Sequence, residues 1–285
     1  MRKLSFLLCF GLLGFTSNAT TFNVSTVEEF LAAIGSDRTI VLAPGEYIIA
    51  GGDGEMPETY GNEHLQYTHQ FDGYELHVSG VENLTIKGSG KLTSHLITQP
   101  SYGYVIVFKY SSNLVLDNLK AGHGPEKGTC TGGVFDFQAC NNVTINKCFL
   151  YGSGRLGISG SVNNLSMNKT TIDECTYHIM EMTKCNNLVF NKCNFSNNVE
   201  FDMVMLFTCN NVTFNKCKFT NNNTYYSDWC DYKFFLLKTT QNVVLNKCRI
   251  TDNSACYFSN EQKHLYLNKC KISKNTWHKG MYGDE

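Results

Sequence analysis

The sequence predicts an all-β chain: a single-stranded parallel β-solenoid of about ten coils, with a short helix at its N-terminal end. Three observations carry this prediction. A motif, Asn-Asn-Val-Thr-Ile-Asn-Lys-Cys at 141–148, returns at 186–193, 210–217, 241–248 and 263–270, with looser copies from Glu82, Ser112 and Asn163. Counted from the anchor Asn83, the copies follow at steps of 30, 29, 22, 23, 24, 31 and 22 residues, a coil of about 23 with loop insertions. Within each copy, two apolar positions flank one that is usually polar, which is strand alternation with one buried face.

Along the chain, Arg2 and Lys3 precede an apolar run from Leu4 to Phe15, and Ser17-Asn18-Ala19 supplies small residues. Residues 1–19 therefore read as an export signal and 20–285 as the solenoid domain. The run is too short to span a bilayer, so no transmembrane anchor is expected. The expected location is secreted, on the cell surface or periplasmic. Ser25-Thr26-Val27-Glu28 reads as a capping box, with Val27, Phe30, Leu31 and Ile34 at helical spacing and Gly35 as the stop. Residues 25–35 are thus expected to form an amphipathic helix plugging one end of the core. Trp277, Met281 and Tyr282 are candidates for covering the other end.

The repeat also assigns the core. With the anchor asparagine as position zero, +1 runs Leu84, Leu114, Val143, Leu165, Leu188, Val212, Val243, Leu265, and +3 is equally apolar. Position +6 is Cys from Cys148 onward except at Thr170, and +8 is Leu, Ile or Phe. Four inward columns stacked like on like describe a coil around a narrow core. A leucine-rich repeat has a similar period but would need more leucine and a helical return. Here the returns are rich in Asn, Ser and Gly, residues that tolerate tight turns.

Twelve cysteines follow residue 19. Export would suggest disulfides, but the columns argue for stacked reduced thiols. In-register parallel neighbours stand about 4.8 Å apart, whereas disulfides want Cβ atoms about 3.8 Å apart. No Cys-x-x-Cys pair occurs, so no zinc site is expected. Sequons such as Asn142 and Asn211 coincide with the repeat and read as turn chemistry.

The asparagine ladder and the opening Thr-Ile-Val-Leu-Ala-Pro-Gly-Glu-Tyr at 39–47 resemble the right-handed parallel β-helix proteins of the pectin lyase-like superfamily. The resemblance covers roughly 38–275. It implies the fold and leaves activity open, because that superfamily holds lyases, hydrolases, epimerases, tailspikes and adhesins. It also implies a cleft along the sheet that precedes the anchor asparagine, with working groups at outward positions. Placing Phe135 and Phe137 inward turns Asp136 and Gln138 outward, and the same phase turns Glu181 outward. Arg155 and His178 enter from loops. Asp136, Glu181, Arg155 and His178 are therefore the catalytic candidates. Paired carboxyls suit glycoside hydrolysis, and a basic group with charge neutralisation suits β-elimination from a uronate. Asp202, Asp228 and Asp231 are oxygen ligands suited to calcium; no other cofactor is expected. The paired Asp-Asp, Asn-Thr-Asp and Arg-Ile-Lys motifs of polygalacturonases do not occur, and Ile158, Met205 and Leu236 fall near the outward stripe.

Position +5 is Lys147, Lys169, Lys192, Lys216, Lys247 and Lys269, and +7 adds Lys218, Arg249 and Lys271. Net charge is only −1, so this is a local ridge and no global field points to nucleic acid. Such a ridge is either solvated repeat chemistry or a match for a linear polyanion. Lys192, Lys216, Lys247, Lys269, Lys218, Arg249 and Lys271 are the polyanion-binding candidates. The sequence alone thus supports an exported, monomeric β-helix that binds a polysaccharide, acidic in character, or a surface partner without catalysis. The alternative is a polysaccharide lyase or glycoside hydrolase acting on an acidic glycan.

Overall fold

A computed structural model describes residues 19–52, 54–124, 132–152 and 157–283. Residues 1–18 of the expected export signal, Cys130 and Arg155 lie outside the described residues. The chain winds as a right-handed parallel β-helix with three faces. One coil shows the plan: Met180–Thr183 on the first face, Asn186–Asn191 on the second and Asn194–Ser196 on the third. Each strand pairs in parallel with its counterparts one coil before and after, as Leu188 does with Leu165 and Val212. Among the described residues the single antiparallel pairing is the hairpin of Leu65–Gln70 with Gly73–Ser79.

The corners explain the asparagines and lysines. In this coil Lys184, Asn187, Lys192 and Asn197 take left-handed φ values of 55, 57, 55 and 56°. Asparagine enters that region more readily than most residues. Anchor asparagines then bond coil to coil: Asn187 Nδ2 donates to Asn164 Oδ1 at 2.9 Å and Asn211 Nδ2 to Asn187 Oδ1 at 3.2 Å. A second column does the same at +4, and a buried third one joins Asn198, Asn222, Asn253 and Asn275.

The inward columns stack as their residue types require. Phe190 and Phe214 lie parallel with centroids 4.6 Å apart, and Phe195 and Phe219 follow at 4.8 Å. The cysteines of the +6 and −2 columns do not bond to one another covalently. Each thiol donates to a backbone carbonyl of the preceding coil: Cys193 to Met167 at 3.3 Å, Cys217 to Phe190 at 3.3 Å and Cys209 to Met182 at 3.2 Å. Thr240 Oγ1 makes the same bond to Leu206 O at 2.8 Å, which explains why threonine alternates with cysteine in these columns. Burial pushes the Cys140 thiol up to about 11 and Cys148 up to about 12, so both stay protonated. Among the described residues one disulfide forms, Cys230 to Cys256, tying the 221–233 loop to the strand Ser254–Ser259. This bond departs from the expectation of reduced thiols, because Cys230 and Cys256 do not stack on neighbouring coils of one column.

The N-terminal plug is the helix Val27–Ala33, burying Phe30, Leu31 and Ala33. Its capping box is set one residue later than the sequence suggested: Thr26 is the N-cap and Glu29 the reciprocating residue. The helix ends at Ile34, which turns extended, before reaching Gly35. At the other end Trp277 packs on Phe234 and Phe258, with centroids 5.7 and 5.3 Å apart, while Tyr282 stays largely outside the core. No helix of the described residues is long and apolar enough to cross a membrane.

Candidate functional site

The outward stripe of the first face reads His77, Val107, Asp136, Ser159, Glu181, Met205, Leu236 on successive coils. Asp136 and Glu181 therefore face the same way, two coils apart, as the sequence placed them. Ile158 does not belong here: it pairs with Phe135 and Met180 and is fully buried, so Ser159 is the outward residue. Asp136, Gln138, Ser159, Gly160, Glu181 and Lys184 line a groove of about 440 Å³. Its floor is flat because Gly160 has φ +131°, and a Cβ there would stand 2.1 Å from Phe137 O. Asp136 is held by Ser159 Oγ at 2.6 Å and Gln138 Nε2 at 2.7 Å, leaving Glu181 as the less engaged carboxylate.

His178 is not brought into that groove. It is buried, its Nδ1 donates to the Asp202 carbonyl, and its ring lies beside Phe201 at 5.8 Å. A ring whose nitrogen serves the backbone packs a loop, here beside Tyr177, whose ring meets Phe201 at 4.7 Å. His123 is likewise internal, its Nε2 donating to Gly103 O at 2.7 Å.

A second groove of about 530 Å³ lies farther along the same face, lined by Asp202, Asp231, Tyr232, Lys233, Leu236, Lys238 and Asn260. Lys233 Nζ is buried and meets Asp231 Oδ2 at 2.7 Å, while the Lys233 amide donates to Asp202 Oδ1 at 2.7 Å. Burial raises the Asp202 carboxyl above its ordinary value, against the lowering by the Lys233 amide and ammonium. Of the calcium candidates, Asp202 and Asp231 thus share a groove. Asp228 does not join them: its carboxylate accepts from Tyr225 OH. Among the described residues no group of three or more His, Cys, Asp or Glu side chains is placed to hold a metal ion. Sequence reasoning missed Lys233. Its only signal was an Asp-Tyr-Lys run at the mouth of a long insertion.

It missed Glu75 and His77 as well. Both are buried on the second strand of the hairpin, with His77 Nε2 2.8 Å from Glu75 Oε1 and Nδ1 3.1 Å from Thr68 Oγ1.

The basic residues sit on the opposite corner, between the second and third faces. Lys147, Lys169, Lys192, Lys216, Lys247 and Lys269 all take left-handed φ, between 50 and 55°, and all are exposed. Their amides tie the coils, Lys192 N to Asn215 O and Lys216 N to Asn246 O at 2.8 Å each. None of these lysines is in an ion pair among the described residues. Lys192, Lys216 and Lys247, with Asn191, Asn215, Asn246 and Asn268, line a groove of about 500 Å³. Lys218, Arg249 and Lys271 pair in register on the third face alongside. The two cation columns therefore run side by side up one edge.

Residues 76–234 match the family model described as a right handed beta helix region. No curated protein matches this sequence. Among solved structures, the fold is similar to an alginate lyase from Paenibacillus sp. strain FPU-7. The TM-score is 0.52 at 12% identity, over 92% of this chain and 99% of that one. It is also similar to the ORF18 protein of Geobacillus virus E2, with TM-score 0.57 and 9% identity over 90% of this chain and 55% of that one. A pectate lyase from Paenibacillus sp. 0602 aligns with TM-score 0.53 and 10% identity, over 82% and 71%. At these identities the likeness is one of fold.

Proposed function

The chain belongs to the right-handed β-helix family, and from that premise we propose that it is an exported protein that binds an acidic polysaccharide along its lysine corner, without catalysis. One observation carries the reading. Six coils place lysine at a left-handed turn position where the backbone would be served better by asparagine or glycine. The shared left-handed backbone does not itself call for lysine, so the recurring side chain is what needs a reason. Neighbouring ammonium groups about one strand spacing apart, ~4.8 Å, repel by under ~1 kcal/mol per pair in water. A linear polyanion laid along the corner relieves that repulsion and meets one cation per coil, a spacing comparable to one sugar unit. The asparagine column beside the lysines already spends its amides on itself, so the recognition is mainly electrostatic. Binding to pectate, alginate or a glycosaminoglycan, measured across a salt series, tests this: affinity falls steeply with salt, and neutral glycans bind weakly.

A second reading rests on the first-face groove. Asp202, whose carboxyl burial raises above its ordinary value, and the buried Lys233 place a carboxyl and a cation in one polar cleft. Together with Glu181 in the neighbouring groove they would suit a lyase or hydrolase acting on an acidic glycan, with calcium as the one candidate cofactor on Asp202 and Asp231. Release of unsaturated uronate product or of reducing ends, lost in Glu181→Gln or Lys233→Met with the fold intact, would establish it.

A further inference from the structure

The two ends of the β-helix are unlike in charge and alike in register. Between residues 20 and 82 the sequence carries eleven Asp and Glu but one Arg and no Lys; between 245 and 285 it carries seven Lys and Arg against four Asp and Glu. At the C-terminal end the strands Leu265–Asn268, Lys271–Ser273 and Thr276–Tyr282 each pair on one side only among the described residues. The inward residues of that last coil, Leu267, Ile272, Trp277 and Met281, are only partly covered, in contrast to their fully buried counterparts in the coils before. At the N-terminal end the strand Thr20–Val24 also pairs on one side only, with Arg38–Leu42, and Phe22 is partly exposed.

The register links these ends. Phe22 pairs with Ile40, and that column continues coil by coil to Leu245 and Leu267. Asn23 pairs with Val41, and its column ends at Asn246 and Asn268, whose Nδ2 donates to Asn246 Oδ1 at 3.0 Å. All strands of this second face run in the same sense, so a strand equivalent to Thr20–Val24 fits beyond Leu265–Asn268 as the next rung. We propose that the basic C-terminal end docks the acidic N-terminal end of a second copy, Thr20–Val24 of one molecule adding in parallel to Leu265–Asn268 of the next. Phe22 then covers Leu267, and Asn23 extends the asparagine column past Asn268. Glu28 and Glu29, exposed on the cap helix, face the rim that carries Lys271 and Lys274. The interface is heterologous, head to tail, and can in principle repeat. The cap helix limits it by covering most of the first coil's core.

Sedimentation equilibrium of the mature chain at low and high salt tests the proposal. Concentration-dependent association is expected at low salt and should weaken as salt screens the two ends. Glu28→Lys and Lys274→Glu lie on the surface outside the core; each alone should weaken association about five- to tenfold, as expected for a rim charge pair turned repulsive. Mixed in equal amounts, the two variants should pair with each other, since the reversed head fits the reversed tail. A chain that stays monomeric at all concentrations and low salt overturns the proposal. So does association that ignores both reversals, or a mixture no more associated than its parts.

Discussion

Asn215 Nδ2 donates to Asn191 Oδ1 at 3.0 Å, one coil back, and the corner turned just after each asparagine holds a lysine, Lys216 and Lys192. Structure and charge are therefore built into one corner: the amide column aligns the coils, and the alignment sets the spacing of the cations. Asn215→Ala leaves Asn246 Nδ2 without its acceptor and Asn191 Oδ1 without its donor. A loss of about 1–2 kcal/mol is expected, read as a lower denaturation midpoint. An unchanged midpoint would show the column to be incidental.

The thiols are expected to behave as hydroxyl equivalents. Cys193→Ser keeps the donor to Met167 O and should be close to neutral, whereas Cys193→Ala should cost about 1–2 kcal/mol through the lost bond and small cavity. Mass mapping of the folded protein should find Cys230 joined to Cys256 and the column thiols reduced, with those at 140, 148, 185, 193, 209, 217 and 248 reacting with a thiol reagent only after unfolding and the half-buried Cys270 reacting earlier. Disulfides within the columns would contradict the packing described above.

The repeat columns were legible in the sequence because every coil restates them; one coil's phase is checked by its neighbours. What stood outside the repeat was not. Ser25 and Thr26 are both good caps and Glu28 and Glu29 both acidic, so the box was misplaced by one residue. Cys230 shares the −12 position with Cys130 and Cys175 only in non-adjacent coils, and Cys256 lies in no column, which hid their bond. Asp202 and Lys233 meet because the strands Val204–Phe207 and Lys233–Lys238 pair in register on adjacent coils, a relation that the long insertion after Thr220 obscures in the sequence. His178 looked like a surface group because nothing in its local sequence shows that Phe201 will cover it.

Gly160 is the position where the candidate groove depends on a missing side chain. With φ at +131° and a would-be Cβ 2.1 Å from Phe137 O, Gly160→Ala combines backbone strain with a clash against main chain. A destabilisation of several kcal/mol or failure to fold is expected, on the order of the larger point-mutant effects. Normal thermal stability of that variant would show the strand to be looser than described.

Asp202 should make the protein's stability depend on pH. Its carboxyl is raised in the folded state by burial, so the folded chain holds this proton more tightly than the unfolded one. The stabilisation from this group is therefore full below the ordinary carboxylate range and is lost as pH rises through the raised value. Asp202→Asn keeps the oxygen that accepts from the Lys233 amide but removes the titration. Its unfolding free energy should stay flatter with pH over that interval, as measured by denaturant titration at several pH values. A difference between wild type and variant that does not change with pH would contradict the assignment.

The central claim is that the lysine corner binds an acidic glycan, and one titration tests it most directly. Replacing Lys216, Lys247 and Lys269 by asparagine removes three cations while keeping residues at home in left-handed backbone. Calorimetric titration with alginate or pectate should show wild-type binding that weakens steeply with added salt, and little binding by the triple variant despite an unchanged β-type circular dichroism spectrum. Binding that ignores salt, or that survives intact in the variant, would contradict the account and shift attention to the Asp202–Lys233 groove.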